Sequence, residues 1–140
     1  MKYDLIFYLA KKTAYCEKRV RALLGTVGAE SNRIVSATSP ASLGEEVVHS
    51  LRLCPLVVIT GGLGSPDDDN LATVLSRVFS NSSLTLENMR RITAASGTQG
   101  YIVRYRNQVL LALPDDPEDI ASILSPDLLD YITQKTSKES

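Results

Sequence analysis

The residues best placed to do chemistry are Thr60-Gly61-Gly62-Leu63-Gly64-Ser65 and the carboxylates Asp67, Asp68 and Asp69 that follow at once. Glycines lack Cβ, so they accept positive φ and let backbone N–H groups point outward, the arrangement by which a loop cradles phosphate. Hydroxyls at Thr60 and Ser65 would add donors. Carboxylates would either cap a following helix or hold a hard cation such as Mg²⁺. The chemistry open to this set is capture of an anion, with or without a metal ion. The plainer alternative is a tight strand-to-helix turn whose aspartates only cap.

Elements on either side must position that loop. Leu56-Val57-Val58-Ile59 are apolar in succession, which suits a strand covered on both faces. Leu71, Val74, Leu75, Val78 and Phe79 recur at helical spacing, with Asp68 or Asp69 at the expected N-cap. Upstream, Lys2 to Leu9 reads as a first buried strand. Thr13 is placed to cap a helix with the stripe Tyr15, Val20, Leu23 and Leu24 and a solvated basic face of Lys11, Lys12, Lys18, Arg19 and Arg21, ended by Gly25. Arg33 to Ala37 is a short second strand. Ser42-Leu43-Gly44-Glu45 fits a capping box opening a helix through Leu51, with His49 on its surface. Strand and helix alternate, so the strands should pair in parallel with helices on both faces, and ligands should sit beyond their carboxyl ends, where Thr60 to Asp69 emerges.

Downstream, Asn81-Ser82-Ser83 breaks the chain and Leu84 to Ile92 reads as another short helix. Ser96-Gly97-Thr98-Gln99-Gly100 is a second loop. Tyr101 to Tyr105 and Gln108 to Leu113 are strands around Arg106-Asn107, the second running against the first. Pro114-Asp115-Asp116-Pro117 leads into a helix with the stripe Ile120, Ile123 and Leu124, capped by carboxylates, and a last helix runs from Pro126 to about Thr133.

The 140 residues, with 44% hydrophobic and 22% charged content, bound the whole at one domain over residues 1–134 and a polar tail at 135–140. A formal net charge of -1 gives no field for nucleic acid or anionic membranes. Cys16 and Cys54 show neither metal-ligand spacing nor a disulfide framework and read as buried thiols. No apolar run reaches membrane-spanning length and no signal-peptide pattern opens the chain, so the expected compartment is the cytosol.

Thr60 to Gly64, a short gap, Pro66 and the Asp68-Asp69 pair resemble the signature loop T-G-G-L-G-P-T-P-D-D-L-T of the molybdopterin-binding domain family. That family comprises molybdenum-cofactor biosynthesis proteins and the amino-terminal domain of competence/damage-inducible proteins, and the chain looks most like the second group. Gly97-Thr98-Gln99-Gly100-Tyr101 is similar to its G-T-A-P-G-F segment, and Gln108 to Pro117 to its strand ending in L-P-G-x-P. The resemblance spans about Lys2 to Leu129. It implies a three-layer α/β/α sandwich with a mostly parallel five-stranded sheet and one antiparallel strand, and a homo-oligomer, dimer or trimer. It also implies a small phosphorylated ligand, a pterin phosphate (molybdopterin) or an adenine nucleotide. That ligand would be held by Thr60, Gly61, Gly62, Leu63, Gly64, Ser65, Gly97, Thr98, Pro114 and Asp115.

The departures are specific. Leu71 stands where the family has threonine, and Asp115 where it has glycine. Leu9-Ala10-Lys11-Lys12-Thr13 lacks the G-D-E or S-D segment that forms one wall of the family's site, so that wall is expected to be missing. If the two loops meet, Asp67, Asp68, Asp69, Asp115 and Asp116 gather. Like charges about 4 Å apart repel by roughly 4 kcal/mol at an effective dielectric near 20. Mg²⁺ held by Asp68 and Asp69 would relieve that repulsion and bridge to phosphate. In the catalytic reading Asp69 positions metal or nucleophile and Asp68 assists, for adenylyl transfer or pyrophosphate hydrolysis, with no cysteine, histidine or lysine contesting those roles. The competing reading is a non-catalytic descendant that serves as a binding or assembly module.

Overall fold

Strands that are apolar in succession lie at the centre of the sheet, and strands that alternate lie at its edges. In the computed structural model, which describes residues 1–63, 70–80, 89–105 and 107–136, the chain runs β1 (Lys2–Tyr8), α1 (Thr13–Gly25), β2 (Glu30–Ala37), α2 (Pro40–Leu53), β3 (Leu56–Thr60) and α3 (Leu71–Ser80). It continues through β4 (Met89–Thr93), β5 (Gln99–Tyr105), β6 (Gln108–Leu113), α4 (Pro117–Ile123) and α5 (Pro126–Thr136). The six strands are ordered β2-β1-β3-β6-β5-β4. β2, β1, β3 and β6 pair in parallel, while β5 pairs antiparallel with both β6 and β4. Five strands therefore run one way and β5 alone opposes them.

Every residue of β3 is buried, and burying a Leu, Ile or Val side chain fully stabilises by about 1.5–3 kcal/mol. That reward is available only with a helix layer on each face. Cys16, Val20 and Leu24 of α1, Ile120 and Ile123 of α4, and Leu129 and Ile132 of α5 cover one face. Leu43 and Val47 of α2 with Leu71, Val74 and Leu75 of α3 cover the other. The edges carry the polar residues: β2 exposes Ser31, Asn32, Ile34 and Ser36, and β4 exposes Arg90, Arg91 and Thr93. Among the described residues, no helix is long and apolar enough to cross a membrane.

Several local expectations are corrected. Met89 to Ile92 belongs to β4, not to a helix, because it pairs with Gly100 to Val103 of β5; residues 84–88 lie outside the described residues. Thr13 is the first residue of α1 and the cap is Lys12, in the left-handed region (φ 54°) with no side-chain cap bond. Tyr15 is 71% exposed, and Cys16 takes its place in the buried stripe. The capping box is three residues earlier than Ser42-Glu45: Ser39 Oγ accepts from Ser42 N–H, and Ser39 N–H donates to Ser42 Oγ, each at 3.2 Å. Pro40 sits at the helix start, where its missing N–H costs nothing. β2 begins at Glu30. At α3 the carbonyl accepting the first helical bond is that of Asn70, from Val74 at 3.0 Å, so the cap is Asn70. α5 continues through Lys135 and Thr136, two residues expected in the tail, and residues 137–140 lie outside the described residues.

Candidate functional site

Three strand ends and one strand start converge at the carboxyl edge of the sheet. β1, β3 and β6 finish there, and β5, running the opposite way, begins there. Their connections enclose a cavity of about 710 Å³ lined by Leu9, Lys11, Gly61, Gly62, Leu63, Thr98, Gln99, Tyr101, Pro114 and Asp115. A parallel sheet exposes its strand carboxyl ends in this way, and ligands collect there.

The glycines are needed first by the protein itself. Gly61 (φ 101°) and Gly62 (φ 76°) both occupy the left-handed region. A Cβ on Gly61 would run into the Tyr8 carbonyl oxygen and lie 2.8 Å from Ala10 Cβ; one on Gly62 would run into the Tyr8 ring. The Gly61 N–H donates to the Leu113 carbonyl at 3.0 Å. That amide is spent inside the sheet, contrary to the expectation that the loop's amides all face outward. The glycines bring the β3 exit tight against the β1 exit, and this close approach lets one cavity touch both. Thr60 lies beneath the cavity, fully buried, rather than lining it. Its Oγ1 is buried with no hydrogen-bond partner among the described residues.

The wall expected to be missing is present in another form. Leu9 (φ 48°) and Lys12 (φ 54°) both adopt positive φ, which reverses the chain sharply after β1 and brings Leu9 and Lys11 to the cavity. A non-glycine residue in that region costs on the order of 1–2 kcal/mol. The loop after β6 holds the bend: Asp115 Oδ2 accepts from the Lys11 N–H at 2.8 Å. Asp116 caps α4, its Oδ1 accepting from Glu118 N–H at 2.9 Å and Asp119 N–H at 3.3 Å. Its other oxygen lies 3.6 Å from Lys12 Nζ. Those backbone N–H bonds, with a smaller contribution from Lys12, hold the Asp116 carboxyl below the ordinary range. Asp115 and Asp116 thus serve the bend and the helix. Below them Cys16 is buried, its thiol pushed up to about 11 by burial and then by the two aspartate charges.

The fourth wall is the turn before β5. Ala94 N–H donates to the Thr98 carbonyl at 2.8 Å and Gly97 N–H to the Ala94 carbonyl at 2.9 Å. Ser96 Oγ donates to Asp119 Oδ1 at 2.6 Å, and Ala95 N–H to Ser122 Oγ at 2.7 Å. Pinned to α4 in this way, the turn presents Thr98 and Gln99, while Gly97 (φ 94°) is exposed and does not line the cavity.

Of the residues expected at a ligand, the cavity wall includes Gly61, Gly62, Leu63, Thr98, Pro114 and Asp115. Gly64, Ser65, Asp67, Asp68 and Asp69 lie outside the described residues. Among the described residues no group of three or more His, Cys, Asp or Glu is placed to hold a metal ion, and Asp115 and Asp116 already have partners. The described residues therefore do not fit Mg²⁺. Leu9, Lys11, Gln99 and Tyr101 are wall residues that the sequence did not single out. Lys11 had read as part of a solvated helix face and no lysine as a contender for the site. It precedes the helix, and among the described residues its ammonium has no ion-pair partner.

No family model matches the chain, and no curated protein matches it. Solved structures do. One is the protein CinA with unknown function from Thermoplasma acidophilum, 16% identical, covering 97% of this chain and 98% of that one, with a TM-score of 0.72. Another is molybdenum cofactor biosynthesis protein B, at 10% identity, 97% and 93% coverage and a TM-score of 0.72. A third is the molybdopterin biosynthesis enzyme MoaB from Thermus thermophilus, at 15% identity, 95% and 96% coverage and a TM-score of 0.64. The fold implied by the loop's resemblance is the fold this chain has: the three-layer sandwich shared by CinA and MoaB.

Proposed function

With the molybdopterin-binding-like fold as premise, we propose that the cavity at the carboxyl edge of the sheet binds a small phosphorylated ligand with a planar ring, a pterin phosphate or an adenine nucleotide. One observation carries this reading: Lys11, held in place by Asp115 through its backbone, lines the same cavity of about 710 Å³ as the Gly61-Gly62 turn, within the roughly 300–1,000 Å³ usual for small-molecule sites. The lysine supplies the positive charge for phosphate, as a charge-assisted donor stronger than loop amides alone. Tyr101 offers a face for the ring and Thr98, Gln99 and Leu63 complete the surround. Gly64 and Ser65 extend the phosphate side in this reading. Thr60 anchors the loop from below. The protein works in the cytosol as a homo-oligomer, a dimer or a trimer.

In the binding reading Asp115, the one carboxylate among the described wall residues, is structural, committed to the Lys11 N–H. In the alternative, adenylyl transfer or pyrophosphate hydrolysis, Asp69 positions the metal or nucleophile and Asp68 assists.

A thermal-shift panel of ATP, ADP-ribose and molybdopterin, each with and without Mg²⁺, separates these. A ligand at a hundredfold excess over its Kd should raise Tm by roughly 5–10 °C. Lys11→Ala should abolish the shift while leaving the unliganded Tm unchanged. A shift that requires Mg²⁺ and is lost in Asp69→Ala would support the catalytic alternative. No shift with any member of the panel would sink the ligand reading.

A further inference from the structure

A second cavity lies in the helix layer formed by α2 and α3. It is a groove of about 820 Å³ between α2 and α3, lined by Pro40, Ala41, Gly44, Glu45, Val48, His49 and Arg52 of α2 and by Val74 and Arg77 of α3. α2 buries Leu43, Val47 and Ser50 against the sheet, and the groove runs along its outer face.

Ala41, Glu45, Val48 and Arg52 recur at spacings of four, three and four, so they form one stripe along the helix. Glu45, Val48, His49 and Arg52 are exposed, Val48 at 40%. Among the described residues neither Glu45 nor Arg52 has an ion-pair partner. The stripe is therefore apolar in the middle, with an unspent negative charge towards its start and an unspent positive charge towards its end.

We infer that this groove seats a second copy of the chain, with the two α2 helices antiparallel about a two-fold axis at the Val48–His49 midpoint. Glu45 and Arg52 are equidistant from that midpoint, each about 5 Å along the helix from it. An antiparallel pairing about it sets Glu45 against Arg52 of the partner subunit and Arg52 against Glu45 of the partner subunit. A two-fold contact requires such self-complementarity, because the same patch must serve both sides. A parallel arrangement would set like charges together. Val48 supplies apolar contact beside the axis. The inference adds a surface to the oligomer proposed above and is independent of the ligand.

The test is sedimentation of the full chain without ligand, with the variants E45R, R52E, V48D and the double reversal E45R/R52E, each confirmed folded by circular dichroism. The expected result is a reversible dimer. Each single reversal should weaken it about tenfold or more, since both symmetric contacts become like-charged, and the double reversal should restore it. Val48→Asp should leave the monomer. A wild-type chain that stays monomeric at its highest soluble concentration overturns both this interface and the oligomer reading. A dimer indifferent to the single reversals, or one that the double reversal fails to rescue, overturns the interface alone.

Discussion

The two ends of the sheet treat polar groups in opposite ways. At the amino end Asp4 is fully buried, yet its oxygens accept from Asn32 Nδ2 at 2.9 Å and Cys54 Sγ at 3.4 Å and lie 3.4 Å from Arg33 Nε. Arg33 in turn reaches Glu46 at 2.9 Å and Ser50 Oγ at 2.9 Å. Gln108 Nε2 closes the floor by donating to the Leu51 and Cys54 carbonyls. Charges there are spent on one another. At the carboxyl end a lysine and a buried hydroxyl have no partner among the described residues, and five backbone positions, Leu9, Lys12, Gly61, Gly62 and Gly97, sit at positive φ, against Gly28 alone before β2. Strained backbone and an unpaired lysine thus mark the end where the cavity lies, whereas at the amino end the charges pair with one another, although Asp4 Oδ2, Arg33 Nε and Glu46 Oε2 are buried there without a hydrogen bond.

The contrast breaks most sharply at Asp4. Removing one partner of a buried ion pair strands the other, at a cost of about 3–5 kcal/mol, so Asp4→Ala should lower stability by about that much in urea unfolding. Lys11→Ala should stay within about 0.5 kcal/mol, as an exposed substitution does. Equal losses at both positions would erase the distinction. The pH dependence follows from the same group. Burial alone would raise the Asp4 pKa, but bonds from Ser50, Asn32 and Cys54 and the Arg33 charge outweigh it and leave it lowered from 3.8. The unfolded chain then binds this proton more readily than the folded one. The Asp4 contribution is therefore complete above the ordinary carboxylate value and lost as pH falls through the lower folded value. An Asp4→Asn variant should show a shallower fall in stability over that acid window.

How much of each end could be read from sequence follows from what determines it. β1, β3 and the β5–β6 pair are legible because burial on both faces, or a short turn, writes itself into consecutive residues. The turn at Gly61-Gly62 is legible for the same local reason. β4 is not, because Met89-Arg90-Arg91-Ile92-Thr93 is an edge strand with two exposed arginines and only its register against β5 makes it a strand. Lys11 reads as a helix-face residue because nothing in Leu9-Ala10-Lys11-Lys12 announces two left-handed residues. The bend rests on Asp115, 104 positions away. The Ser42-Glu45 motif matched a capping box by composition, while the true box pairs two serines one turn earlier.

The next largest effect is expected at the turn that joins β3 to the cavity. Gly61→Ala adds a Cβ against the Tyr8 carbonyl at a positive φ, so strain and crowding together should cost about 2–4 kcal/mol. If Gly61 instead served only the approach of a ligand, stability would hold and affinity alone would fall. Thr60→Val is the smaller and opposite case. Exchanging a buried, unpartnered hydroxyl for a methyl removes a desolvation cost and should stabilise by about 1 kcal/mol, read as a rise in the urea midpoint at constant slope. A loss there would mean that the hydroxyl has a partner in the folded protein.

The finest comparison uses the two cysteines, one buried near each end. Cys16 lies beneath Asp115 and Asp116, and Cys54 beside Asp4; burial first, then neighbouring carboxylates, pushes each thiol up to about 11. At pH 8 each is then about one part in a thousand thiolate, so a difference in labelling rate between single-cysteine variants reports opening of the surrounding structure rather than intrinsic reactivity. Cys16 opens with the start of α1, whose cap is a left-handed lysine without a side-chain bond, whereas Cys54 donates to Asp4 in the ion-paired cluster. In the Cys54→Ala background Cys16 should react with a disulfide reagent about tenfold faster than Cys54 does in the Cys16→Ala background, the ratio expected for a local opening easier by 1.4 kcal/mol. A saturating ligand in the carboxyl-edge cavity should narrow the ratio by slowing Cys16 alone. Equal slowing of both thiols would show that Cys16 is exposed by global unfolding, and the two ends of the sheet would then share one stability.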